Sequence, residues 1–132
     1  MVFKGQYDFL SNFYERKLVV NGITYRNAES AFQSFKLINR EERVAFSKLD
    51  GREAKALGRK VPLRPDWDEI RLPVMEGILR KKFADDELRF RLSLVDGPIT
   101  EDNTWNDRFW GVCKGVGENN LGRLLMKIRD GE

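Results

Sequence analysis

No histidine occurs among the 132 residues, and cysteine occurs once, at Cys113. Without imidazoles, Ser-His and Cys-His dyads and the usual zinc-ligand sets are excluded, and a lone thiol cannot close an internal disulfide. Acid/base chemistry therefore falls to Asp, Glu, Lys or Tyr. Also missing is any apolar run approaching the roughly 20 residues that crossing a bilayer needs. The opening Met-Val-Phe-Lys-Gly-Gln lacks the layout of a signal peptide. A cytoplasmic location with no membrane partner is expected. Low-complexity tracts, internal repeats and linkers are absent as well.

What is present describes a folded protein: 41% hydrophobic and 34% charged residues are too apolar and too mixed for a disordered chain. At this length one domain spanning residues 1–132 is expected, burying about two-thirds of the surface its unfolded form would expose. The net charge of +3 and pI near 9.1 suit an anionic ligand. They fall short of the dense basic stripe of a dedicated nucleic-acid binder.

The pattern along the chain predicts an α+β fold, predominantly helical with a small antiparallel sheet. Residues 17–25 place two β-branched runs around Asn21-Gly22, a strong hairpin signal. A helix follows from the N-cap Asn27 to about Ile38, then short helices over 41–49 and 52–60, the latter ending near Gly58. Pro62 and Pro65 impose an extended connection to Asp66. The helix starting there should kink or restart at Pro73. Asp86 to about Leu94 is amphipathic, Asp96-Gly97-Pro98 is a turn, and residues 99–117 read as short strands and loops. Asn119 or Asn120 caps a last helix striped by Leu121, Leu124, Leu125 and Ile128.

Four constellations carry chemistry. In Asn27 to Lys36, helical spacing puts Ala28, Phe32 and Phe35 on one stripe and Glu29, Gln33 and Lys36 on another, a carboxylate, an amide and an amine in a row. Most such polar stripes are solvated faces; the alternative is an acid/base or nucleophile-plus-base site. Residues 101–111 gather Glu101, Asp102, Asp107 with Trp105, Phe109 and Trp110 off any helical period, a composition suited to lining a pocket or to filling core at strand ends. The loop Gly111 to Asn120, with Gly115 and Gly117, runs into a helix N-terminus and so could hold phosphate or simply turn tightly. Arg52, Lys55, Arg59, Lys60 and Arg64 form the densest basic patch, fit for a phosphate or for solvent.

Taken in order, these pieces resemble the YbiA-like family, also called the NADAR domain. The resemblance rests on Phe9-x-Ser11-Asn12-Phe13, Ala28-Glu29-x-x-Phe32-Gln33-x-x-Lys36, Gly58-Arg59, Arg64-x-Asp66-Trp67, Met75 and Lys82-Phe83. It continues through Glu101, Asp107-x-x-Trp110-Gly111 and Gly117-x-Asn119-x-Leu121-Gly122-x-x-Leu125-Met126-x-x-Arg129. The family resembles a set of N-glycosidases, some acting on a riboflavin-pathway intermediate and others removing ADP-ribose from modified guanine. Many members carry Glu-His where Glu29-Ser30 stands here, so any role of that imidazole is absent.

The resemblance implies an N-glycosidase that hydrolyses the base–ribose bond of a phosphorylated or ADP-ribosylated nucleoside, free or carried on single-stranded nucleic acid. Such a reaction needs a carboxylate near the sugar, a proton source near the base, and a nucleophile. Glu29 is expected as acid/base, Asp107 as second carboxylate, and Lys36 as nucleophile if water does not attack directly. Trp105 and Trp110 would sandwich the base; Ser11, Asn12 and Gln33 would hold sugar or base edge; Arg59, Arg64 or the Gly117-Asn119 loop would bind phosphate. Phe9, Glu101 and Gly111 complete the expected binding set. No metal or redox cofactor is required. The rival readings are a non-catalytic ADP-ribose or nucleotide-binding module and a nucleic-acid-binding protein built on the basic patch.

Overall fold

The turn Asn21-Gly22 sets the first pair of strands. In the computed structural model, which describes all residues from 1 to 132, both take positive φ, 51° and 76°. That is the combination a tight hairpin turn of primed type requires and that Asn and Gly tolerate. Strands β1 (Glu15–Val20) and β2 (Ile23–Asn27) pair antiparallel through it, Leu18 facing Tyr25 and Val20 facing Ile23. All four of those side chains are buried, while Val19, between them, is exposed.

Contacts along the chain group into two compact units, residues 12–82 and residues 1–11 with 83–132. In the first, β2 passes directly into α1 (Ala28–Ser34), where Asn27 accepts the Ser30 N–H on its side chain at 2.7 Å. The same Asn27 amide donates to Glu15 Oε2 at 2.8 Å and to the Leu49 carbonyl at 3.1 Å, tying helix start, strand and a later turn together. Then come α2 (Arg40–Arg43), a 3-10 turn at Val44–Phe46, and α3 (Gly51–Gly58). Asp50 and Glu53 close a reciprocal capping box on α3, each side chain accepting the other's backbone N–H. Helix α4 (Trp67–Lys82) completes the unit, and its Trp67 ring lies 5.0 Å from Phe32.

Helix extents differ from the sequence pattern at several points, and the helix expected over 41–49 is instead the short α2 followed by the 3-10 turn at Val44–Phe46. α1 ends at Ser34 rather than Ile38, because the chain tightens to i→i+3 bonds: the Lys36 N–H donates to Gln33 O at 3.2 Å and the Leu37 N–H to Ser34 O at 3.1 Å. Conversely, α4 runs unbroken through Pro73. Pro73 is exposed, where water can serve the carbonyl left without its helical donor.

The second unit holds a 3-10 turn at Gly5–Leu10, α5 (Asp86–Ser93), the two-residue strands β3 (Asp102–Asn103) and β4 (Val112–Cys113), and α6 (Asn120–Arg129). β3 and β4 pair in parallel, so the only extended antiparallel ladder is the β1–β2 hairpin. Its apolar interior includes Phe9, Leu88, Leu92, Ile99, Leu121 and Leu125. Arg129 anchors the end of α6, donating to the carbonyls of Val95 at 2.9 Å and Gly97 at 2.6 Å. No helix of the chain is long and apolar enough to cross a membrane.

Candidate active site

All seven residues of α1 are buried, which removes its polar stripe from solvent. Glu29 is 8% exposed and Gln33 6%. One turn of helix separates them, and Gln33 Nε2 donates to Glu29 Oε2 at 2.7 Å. The Glu29 backbone N–H donates to the Asn12 carbonyl at 2.9 Å, so the start of α1 is stitched to the Asn12-Phe13 segment. A buried carboxylate aimed by a buried carboxamide is a costly arrangement that an ordinary surface helix does not make.

Gly58 joins this pair to the amine. A Cβ at position 58 would fall on Gln33 Oε1, so the absence of a side chain is what lets the carboxamide lie there. The Gly58 carbonyl in turn accepts from Lys36 Nζ at 3.2 Å. Lys36 is half-buried, and its pKa lies below the ordinary lysine value of 10.5. Burial is the main cause, helped by the charges of Arg59 and Lys55 and opposed by Glu29. Lys36 reaches this place from the tightened turn after α1, not from a second turn of the same helix. A carboxylate and an amine biased toward its neutral form can supply acid/base and nucleophilic chemistry.

Two amide oxygens in this unit lack hydrogen-bond partners although buried, Gln33 Oε1 and Asn12 Oδ1. Asn12 is 8% exposed, and its Nδ2 meets only the Met75 sulfur, at 3.5 Å. Gln33 Oε1 is packed against Gly58, so of the two only Asn12 Oδ1 is an acceptor that a ligand could use. Arg59 is exposed at the end of α3. Arg64, expected on phosphate, is otherwise engaged: it forks onto Asp66 at 2.7 and 3.2 Å and donates from Nη1 to the Phe35 carbonyl at 3.4 Å. The guanidinium holds Asp66 below its usual carboxylate range. The Arg-x-Asp spacing in the sequence is the local signal for this pair.

In the other unit the expected residues mostly build loops. Phe9 is a core residue, edge-on to Phe83 with ring centroids 6.4 Å apart and 4.3 Å beneath the Arg91 guanidinium. Ser11 ends the first 3-10 turn, its N–H on Asp8 O. Asp107 Oδ1 accepts the N–H groups of Phe109 and Trp110 at 3.1 and 2.9 Å, and Asn103 brackets the Asp107 backbone from both sides. Glu101 is buried and packs on Gly111, where an added Cβ would meet its carboxylate. Trp105 is 60% exposed, whereas Trp110 is half-buried with its ring 4.8 Å from Phe109.

Four of the N–H groups at the entry to α6 are already engaged by backbone carbonyls. The N–H groups of Glu118, Asn119, Asn120 and Leu121 donate to the carbonyls of Arg108, Gly111, Phe109 and Trp110. Asn119 takes a left-handed conformation, φ 56°, and its side chain bonds Ile99 O and the Glu101 N–H instead of capping the helix. Gly117, φ 156°, lies so close to Gly111 that no Cβ fits. Sequence could not disclose this, because the carbonyls that occupy the helix entry come from some ten residues upstream.

The fold is α+β, and its first helix buries an acid–amide pair, with a half-buried amine of lowered pKa in the turn that follows. The NADAR domain model matches residues 2–131, and the chain belongs to the NADAR domain family. N-glycosidase YbiA of Escherichia coli is 33% identical over 129 residues, 94% of this chain and 81% of the relative. Its solution NMR structure matches with a TM-score of 0.84 and 32% identity, covering 99% of this chain and 83% of that one. A riboflavin biosynthesis protein of Vibrio vulnificus is 33% identical over 128 residues, 92% of this chain and 35% of that longer protein. An N-glycosidase of Nostoc punctiforme is 27% identical over 132 residues, 94% of this chain and 85% of its own.

Proposed function

We propose that this chain is an N-glycosidase that splits the base–ribose bond of a phosphorylated or ADP-ribosylated nucleoside. The observation that carries the reading is the half-buried Lys36 amine, biased toward its neutral form and seated on Gly58, against which the Glu29–Gln33 pair packs. N-glycosidase relatives support the reaction class, and a riboflavin-named relative supports the riboflavin-pathway part of the substrate range.

In the reaction so assigned, neutral Lys36 attacks the anomeric carbon, the C–N bond breaks with its electron pair going to the base nitrogen, which takes a proton from solvent, and the Glu29 carboxylate takes the proton that the attacking nitrogen sheds. The nitrogen lone pair of the resulting ribosyl-lysine then forms a C=N bond as the ring oxygen leaves, protonated by Glu29. Water adds to that Schiff base, Glu29 now accepting its proton, and the adduct collapses to free the amine and the sugar. Gln33 holds the Glu29 carboxylate in position through both proton transfers. Asn12 Oδ1 offers an acceptor to a ribose hydroxyl or an exocyclic amine of the base.

Purified protein incubated with a ribosylamino-pyrimidine phosphate, and separately with ADP-ribosylated guanine in single-stranded DNA, should release a base from one of them by chromatography. Borohydride should trap a sugar adduct on Lys36 that Lys36→Ala cannot form. Release of base by Glu29→Gln at the full rate, or trapping on another residue, would remove the assignment.

A further inference from the structure

The turn that carries Lys36 is held from outside the helix by two arginines. Beyond the end of α1, the carbonyls of residues 35–38 have no helical donors. Each finds one here. Arg64 Nη1 donates to Phe35 O at 3.4 Å and the Arg64 backbone N–H to Lys36 O at 3.2 Å. Arg43 Nη1 donates to Leu37 O at 3.3 Å and Ile38 O at 2.9 Å, while its guanidinium stacks 4.8 Å over the Phe35 ring.

We propose that Arg43 and the Arg64–Asp66 pair are positioning residues for Lys36, fixing the turn from which the amine reaches Gly58. A lysine side chain has four rotatable bonds, so its reach depends on where its backbone is held. Both guanidiniums are constrained in their turn: Arg43 is buried to 8% exposure, and Arg64 is forked onto Asp66 at 2.7 and 3.2 Å. A lysine would keep the charge at either position but lose the fork onto Asp66 at position 64 and the planar group stacked on Phe35 at position 43. The inference rests on the reading of Lys36 as nucleophile, and it gives Arg64 a different task from binding phosphate.

The test compares Arg64→Lys, Asp66→Asn and Arg43→Lys with the unaltered protein in two ways. Competitive acetylation across pH, read by mass spectrometry on the Lys36 peptide with the other lysines as internal standards, reports the titration of that amine without any substrate. Steady-state base release reports kcat and KM. The expected result is a Lys36 titration displaced toward ordinary lysine, with kcat down about a hundredfold and KM changed less than about threefold, the pattern of a misplaced reacting group. Asp66→Glu, which restores a carboxylate partner, should recover part of kcat. Variants that melt earlier while Lys36 titrates and turns over as before would reduce the arginines to structural supports and overturn the proposal. If the unaltered protein releases no base from either substrate, the glycosidase reading fails, and the acetylation arm alone decides: an undisplaced Lys36 titration then overturns the positioning role.

Discussion

Gln33 donates to Glu29 at 2.7 Å from one turn further along α1, and its other amide atom, the oxygen, is packed against Gly58 without a hydrogen-bond partner. The carboxamide is therefore aimed by packing on one side and spends its hydrogen bond on the carboxylate. Replacing it by Leu should leave the fold intact but remove one of the bonds that orient the carboxylate. The lost buried hydrogen bond to a charged group corresponds to about 1–3 kcal/mol, and kcat should fall at least about tenfold. An equal kcat in Gln33→Leu would show that Glu29 needs no such partner.

Gly58 is the other half of that arrangement. Gly58→Ala puts a methyl group where Gln33 Oε1 now lies and pushes the carboxamide off Glu29. Overpacking of this kind costs about 1–3 kcal/mol, visible as a lower urea midpoint. Base release should drop with it, and the double variant with Gln33→Ala should regain stability, since the smaller side chain vacates the space. A double variant less stable than Gly58→Ala alone would contradict the steric account.

Lys36 makes a signed prediction for pH. Its folded pKa is lowered, chiefly by burial, so below that folded value the proton is bound in both states and the charged amine opposes folding in full. Between the folded pKa and the unfolded value near 10.5 the unfolded chain holds more protons, and stability contributed by this group rises with pH. Lys36→Met should therefore melt higher than the parent at neutral pH, with the gain shrinking as pH climbs toward 10.5. On the kinetic side, the rate of base release should rise along a limb centred below 10.5 as the amine becomes neutral. A gain that grows with alkalinity would reverse the sign and refute the burial argument.

Asp107 separates a loop-holding carboxylate from a reacting one. Its Oδ1 serves two backbone N–H groups, a task that an asparagine oxygen performs equally well. Asp107→Asn should keep most of the base release, whereas Asp107→Ala should lose about 1–2 kcal/mol of stability through the orphaned donors. Loss of turnover in a fully stable Asp107→Asn would instead return Asp107 to the role of second catalytic carboxylate.

Much of the local structure was legible beforehand because its causes are local. The Asn21-Gly22 turn, the Asn27 cap and the stripe of α6 each follow from conformational preference or periodicity within a few residues. The end of α1 was not legible: periodicity continues to Phe35 and Lys36, yet the carbonyls that follow bond to Arg64 and Arg43, whose positions no short-range pattern encodes. Of the two outcomes that Pro73 allows, a kink or a restart, the helix shows no restart, since the exposed place of Pro73 in α4 tolerates the missing donor.

By itself, then, the residue string determined the α+β character, the reliance on carboxylates and amines in a chain without histidine, and the family to which the chain belongs. It also put Glu29, Gln33 and Lys36 in register. Only tertiary structure decided that this register faces inward, that Arg64 clamps a turn, and that the α6 entry is filled by backbone carbonyls. Burial and hydrogen-bond occupancy are properties of segments distant in sequence brought together, and no short-range pattern of residues encodes them.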